Sequence, residues 1–236
     1  SAIGGGEKGL RSPYQANRVV AYLKMFFNQA KEKKWCSNNP CKIKSKKLYA
    51  EKPYEDFLSK KERDSIYHYL IVKDERSGRL KKSYYDEKKL NPVACCLYAF
   101  QLFTGRRTQT EASSIKWSMV KWHIKKLILK ETKTSKLNKK YAFQLGGVAL
   151  DILRTIQKDK MNNEESRFFF EPGDERCDYV FPSHNYGKRI AGGIGKPNQL
   201  IAKTPHLVDI RKTIKKVLLM AGIHRHIKNY ITRHTQ

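Results

Sequence analysis

Apolar residues recur at helical spacing in the first long segment of the chain. Val19, Val20, Leu23, Phe26, Phe27 and Ala30 define one face of a helix predicted from about Pro13 to Trp35, because positions three and four apart share a side. Ser37-Asn38-Asn39-Pro40 stops that helix. A single helix has nothing of its own on which to bury such a stripe, so residues 1–48 read as the tail of a larger domain. Ser1 to Gly6 is small and glycine-rich, lacks the basic-then-apolar order of a targeting signal, and reads as an appended edge.

A different pattern starts at Tyr54 and predicts a compact mixed domain. Ser59 precedes Glu62 by three residues, the spacing at which a hydroxyl and an acid cap the same helix start. Pro92 opens another helix with Val93, Cys96, Leu97 and Phe100 on one face. Between them, Asp74 to Leu90 is charged and predicted to be a surface excursion. The period shortens from Trp117 to Lys130, where Trp122, Ile124, Leu127 and Ile128 separated by lysines predict a strand. Lys133-Thr134-Ser135-Lys136 and Asn138 then supply a turn, and Tyr141 to Leu145 the return strand of a β-hairpin. Helical spacing resumes from Val148 to Ile156, and residues 160–200, with Pro172-Gly173, Pro182 and several glycines, read as irregular. Two closing helices are predicted, Asp209 to Ala221 and His226 to His234, parted by Gly222 in a C-cap position.

Charge narrows the functional classes. The 236 residues carry 49 Lys+Arg against 22 Asp+Glu, a formal net charge of +27, while 39% hydrophobic content is enough for a real core. So large a surplus repels itself unless an anionic partner is present, and nucleic acid is the expected partner. Anionic membrane is the competitor, but it calls for a basic amphipathic helix or a lipid anchor, and here the lysines are spread through globular sequence. No apolar run approaches the roughly 18–20 residues of a membrane span. The run Lys42, Lys44, Lys46 and Lys47 is either a solvated tether or a strap along a phosphate backbone. Five cysteines with no CxxC pair speak against a disulfide framework or a zinc site, and for a reducing compartment.

Candidate chemistry rests on side chains alone. No carboxylate cluster of the kind that holds hard cations is visible, nor a P-loop, a GxGxxG or a GxSxG motif. Three segments suit phosphodiester chemistry. Thr104-Gly105-Arg106-Arg107 ends a buried helix, where glycine lets the chain turn and an arginine fork can grip two phosphate oxygens. Lys133 lies at the hairpin tip, near Lys136, Lys139 and Lys140, and a lysine with its pKa lowered by neighbouring cations can protonate an oxygen leaving group. Asp209-Ile210-Arg211-Lys212-Thr213 opens a helix and is followed by Gly222 and His234, a histidine able to bond a phosphate oxygen or help move a proton.

In this order the segments resemble the tyrosine recombinases, also called phage-type integrases. The features that match are Arg107 with Glu111 and Trp117, Lys133, Arg211 with Thr213, then Gly222 and His234. The resemblance covers about residues 54–236, and the helix from Asn17 to Lys34 with Asn39-Pro40 is similar to the end of the family's core-binding domain. It implies a mainly α fold with a small antiparallel β-sheet (α+β): residues 1–48 as the end of a DNA-clamping domain plus a basic linker, 54–236 as the catalytic domain. It implies a site-specific recombinase or integrase from a phage, prophage or other mobile element, working through a 3′-phosphotyrosyl intermediate. Expected partners are double-stranded DNA and further copies of the chain in a synaptic tetramer, with no metal, cofactor or membrane, in the cytoplasm of a bacterial host. The implied catalytic set is Arg107, Lys133, Arg211 and His234, with Arg106, Lys136 and the lysines of the linker on DNA.

Three departures qualify the match. One residue more than usual separates Arg107 from Glu111, which leaves Arg106 as a second candidate for the first arginine. Val208 stands where the family has histidine, and His206, two residues away, is the candidate for that role. No tyrosine lies between His234 and Gln236, so the nucleophile is expected further on, with Tyr230 read as a packing residue. The alternative is a duplex-DNA-binding module of the same fold without catalysis.

Overall fold

The computed structural model describes residues 13–41, 49, 57–106, 111–129, 141–161, 166–190 and 199–224. The chain falls into two compact units, Ser1–Glu55 and Asp56–Gln236.

The first unit holds helix α1, Pro13–Glu32. Its end is closed by Trp35 N–H donating to Ala30 and Lys34 N–H donating to Lys31, with Lys34 left-handed at φ 58°. This is a Schellman closure, carried by a lysine where glycine is usual. The following loop is pinned back by Asn39, which is buried. Its amide donates to the Lys24 carbonyl and to Asn28 Oδ1, while its own oxygen accepts from Cys41 N–H. Of the expected stripe, Ala30 is buried, whereas Val19, Leu23 and Phe26 are exposed.

The second unit is built around α4, Pro92–Thr104. Asn91 caps its start by accepting from Val93 and Ala94 N–H, and proline at the first position gives up a donor that has no partner there anyway. The sequence pattern predicts one buried face, but α4 is buried from Val93 to Leu102 on every side. It earns that position by packing against α2 (Lys60–Leu70), α5 (Gly147–Lys160) and α6 (Arg211–Met220). Phe100, fully buried, packs its ring 5.8 Å from that of Phe181.

Helix α2 starts as the sequence predicts, with Ser59 and Glu62 forming a reciprocal capping box. The stretch from Asp74 to Leu90 is more than a surface excursion. It contains α3, Lys82–Glu87, and buries Tyr85. The Tyr85 hydroxyl donates to the Leu70 carbonyl and accepts from Val72 N–H, tying the end of α2 to this segment. Charged residues on the exposed side of a short helix mask the single buried ring in the sequence pattern. Tyr85→Phe is expected to strand both backbone groups and to lower stability by about 1–3 kcal/mol, measured by urea denaturation of the full chain.

The predicted hairpin is present, with one correction. Trp122 and Ile124 do not lie in a strand. Residues 122–125 form a turn between β1 (Val120–Lys121) and β2 (Lys126–Leu129), with Lys125 left-handed at φ 51°. No glycine or proline marks that turn, so the apolar-lysine alternation runs through it unbroken. Strand β3, Tyr141–Gln144, completes an antiparallel sheet in the order β1-β2-β3, with Leu127 opposite Phe143 and Leu129 opposite Tyr141. The connection carrying Lys133, Lys136 and Asn138 lies outside the described residues.

Helix α5 runs further than the expected Val148 to Ile156. Residues 166–190 and 199–200 are mostly irregular, as predicted, but include a 3-10 turn at Glu175–Asp178 and a two-stranded pair, β4 (Arg189–Ile190) with β5 (Gln199–Leu200). The predicted helix from Asp209 begins two residues later, at Arg211, and ends at Met220, with Gly222 left-handed at φ 70° two residues beyond. Ile214, Val217 and Leu218 form its buried side. The helix expected from His226 to His234 lies outside the described residues. Among the described residues no helix is long and apolar enough to cross a membrane, and no group of histidine, cysteine and acidic side chains suits a metal ion.

Candidate active site

Two of the three chemistry-bearing segments can be followed to the side chain. The first is the end of α4. Gly105 closes the helix in the left-handed conformation, φ 62°, with its N–H donating to the Gln101 carbonyl. A residue with a β-carbon is strained there, so the glycine is what lets the chain leave α4 and bring Arg106 toward the sheet.

Arg106 does not project freely. Its side chain is only 18% exposed, and its guanidinium carbon lies 4.1 Å from the centroid of the Phe143 ring and 5.5 Å from that of Tyr141. The two aromatic residues are two apart on β3 and therefore share a face. The guanidinium also reaches Glu111, with 3.7 Å between Nη1 and Oε2. Glu111 is itself buried and sits with Ala112 in a π-helical turn. Arg107 lies outside the described residues.

The second segment is the start of α6. Arg211 is its first residue, with its side chain 75% exposed. Asp209 holds it from below: the carboxylate accepts from Nε at 3.0 Å, from Nη2 at 2.6 Å and from the Arg211 backbone N–H at 3.0 Å. These bonds, the side-chain ones first, hold the Asp209 carboxyl down at about 2, so the pair keeps both charges at any working pH. Exposed ion pairs add little stability; what this one supplies is a direction, since a planar fork bound on one edge is fixed in its plane. Helices α4 and α6 pack against each other.

His206 takes a different place. Its ring lies against Tyr179, 5.1 Å between centroids, and Nδ1 is buried without a hydrogen-bond partner among the described residues. Burial lowers its pKa below the usual imidazole value. His184, packed on Phe170 and bonded to the Arg167 carbonyl, is lowered as well, again chiefly by burial. A histidine held neutral by folding binds its proton more readily once unfolded. Stability is therefore complete above the ordinary imidazole pKa and declines as pH falls through and below it. The expected result is a flat denaturation midpoint above about pH 7 and a falling one between roughly pH 6.5 and 5, with the slope reduced by His184→Gln.

Trp117 is half-buried beneath the Nζ of Lys160, 5.8 Å from its ring centroid. Lys133, Lys136, His234, Lys42, Lys44, Lys46 and Lys47 lie outside the described residues. Sequence reasoning missed the aromatic pair Tyr141 and Phe143 under Arg106, although their alternation on one strand was legible. It read Asp209 only as a helix cap, when the same carboxylate also holds the arginine fork.

Comparison with solved structures gives this architecture a counterpart. The chain is similar to the Tn1549 transposon integrase in complex with a circular intermediate DNA, with a TM-score of 0.58 and 14% identity. The match covers 97% of this chain and 66% of the integrase chain. An arginine-to-lysine variant of that integrase, bound to other circular intermediate DNAs, gives TM-scores of 0.60 and 0.59 at 13% and 14% identity, again over 97% of this chain. The chain thus shares the fold of that integrase structure, mainly helical with a small antiparallel sheet, and spans about two-thirds of its length. No protein-family model and no curated protein matches it.

Proposed function

We propose that this chain is the DNA-cleaving and rejoining part of a tyrosine recombinase, from a phage, transposon or similar mobile element. The observation that carries the reading is Arg211. On the fold of a DNA-bound transposon integrase, an exposed arginine opens α6 at the place the sequence resemblance assigns to the second catalytic arginine, with its fork already oriented by Asp209.

In this reading a tyrosine hydroxyl attacks the scissile phosphate and gives up its proton to solvent. The tyrosyl O–P bond forms, the P–O5′ bond breaks, and the 5′-oxygen leaves with a proton from Lys133. Arg107 and Arg211 neutralise the charge that builds on the equatorial phosphate oxygens, and His234 bonds one of them. A free 5′-hydroxyl of a partner strand then reverses the step, so no external energy source is needed. Residues 1–48 end the DNA-clamping domain, the lysines from Lys42 to Lys47 follow the phosphate backbone, and four copies assemble on two duplexes.

A nicked suicide duplex tests this. The full-length protein is expected to form a covalent adduct that resists denaturant and maps by mass spectrometry to a tyrosine. Binding of the same duplex without any adduct would instead identify a DNA-binding module.

A further inference from the structure

Arg106 is a basic residue beside the proposed reaction centre, yet its surroundings are those of a structural joint. Three separate pieces of chain meet at it. Its backbone carbonyl accepts from Gln101 Nε2 of α4 at 3.4 Å, its guanidinium carbon lies over Phe143 and Tyr141 of β3, and its Nη1 faces Glu111 of the π-turn. A guanidinium on two aromatic faces is held by cation–π attraction that strengthens when partly desolvated, and 18% exposure leaves little of it for a phosphate. Strand β3 in turn is fixed to β2 by four consecutive pairs, from Lys126 with Gln144 to Leu129 with Tyr141. Those two strands are the roots of the segment that bears Lys133.

We infer that Arg106 is a positioning residue: it clamps the root of the β2–β3 hairpin to the end of α4, and the proposed role of Lys133 as the acid depends on that clamp. The inference rests on the proposed function, because it needs Lys133 to be the acid for the leaving group. It departs from the expectation that Arg106 grips DNA.

The leaving group separates the two roles. A 5′-bridging phosphorothiolate expels a thiolate, which departs without protonation, so a misplaced acid no longer matters. Arg106→Ala is expected to slow cleavage of ordinary DNA on the order of a hundredfold, as a misplaced catalytic group does. The sulfur substrate should be cleaved within about threefold of the unmodified protein's rate, as it should be for Lys133→Ala. DNA affinity and its salt dependence should stay unchanged. Arg106→Lys, which keeps the charge but loses the planar face, should show the same rescue in milder form and serves if the alanine variant fails to fold.

A fall in affinity with the salt slope reduced by about one would make Arg106 a phosphate contact and overturn the inference. A cleavage defect that the sulfur substrate leaves unrelieved would overturn it too, while the recombinase reading would stand. If the unmodified protein binds both substrates and cleaves neither, the proposed function itself fails and takes the clamp with it.

Discussion

Arg211→Ala should abolish strand cleavage while leaving most of the affinity for duplex DNA. The expected loss is at least about a thousandfold in the single-turnover rate, the scale at which a preorganised donor to a developing oxyanion acts. Affinity should survive because the remaining lysines and arginines of a chain with net charge +27 still displace counterions. The side chain is mostly exposed and its one ion pair among the described residues is with Asp209 two residues away, so its removal opens no cavity and the fold should be intact. Gel-shift titration, suicide-substrate trapping and thermal melting on one preparation separate the three quantities. Lost binding with spared cleavage would remove Arg211 from the reaction. Arg211→Lys should recover little, since an ammonium lacks the planar fork that is bound by Asp209 on one edge and leaves the other edge open for the proposed phosphate contact.

The second large effect is structural. Phe100→Ala should destabilise the chain by about 3–5 kcal/mol, the range for truncating a buried aromatic ring in a close-packed core. Phe100 lies in the helix that α2, α5 and α6 all pack against, and its neighbour Phe181 is also fully buried. With domain stabilities of about 5–15 kcal/mol, that loss takes a large part of the total. Equilibrium urea denaturation should show an earlier midpoint. A loss below about 1 kcal/mol would mean that the core repacks around the gap.

Ser59 with Glu62, Asn91 with Pro92, and Gly222 were legible because caps and helix ends are local chemistry, complete within a few residues. Strands β2 and β3 followed from alternation. The turn at residues 122–125 did not, because Lys125 adopts a left-handed backbone that nothing in its side chain advertises. Burial of α4 on all sides was hidden for another reason. A helix covered from three directions has no polar face for periodicity to detect, and its apolar run looks like any other. At the candidate site, the arginines were legible as types and spacings. What each one touches was not, since Arg106 and Phe143 lie far apart along the chain and meet only through the fold.

The two thiols in the middle of α4 give this core a built-in reporter. Cys95 and Cys96 are fully buried, and burial pushes the Cys95 thiol up to about 12 and raises Cys96 as well. Neither is a thiolate in the closed protein, so alkylating reagents meet only Cys36, Cys41 and Cys177, all partly exposed. Slow uptake of label at the adjacent pair would therefore time how often the helix is laid open, with and without DNA, in a chain that needs no engineered probe.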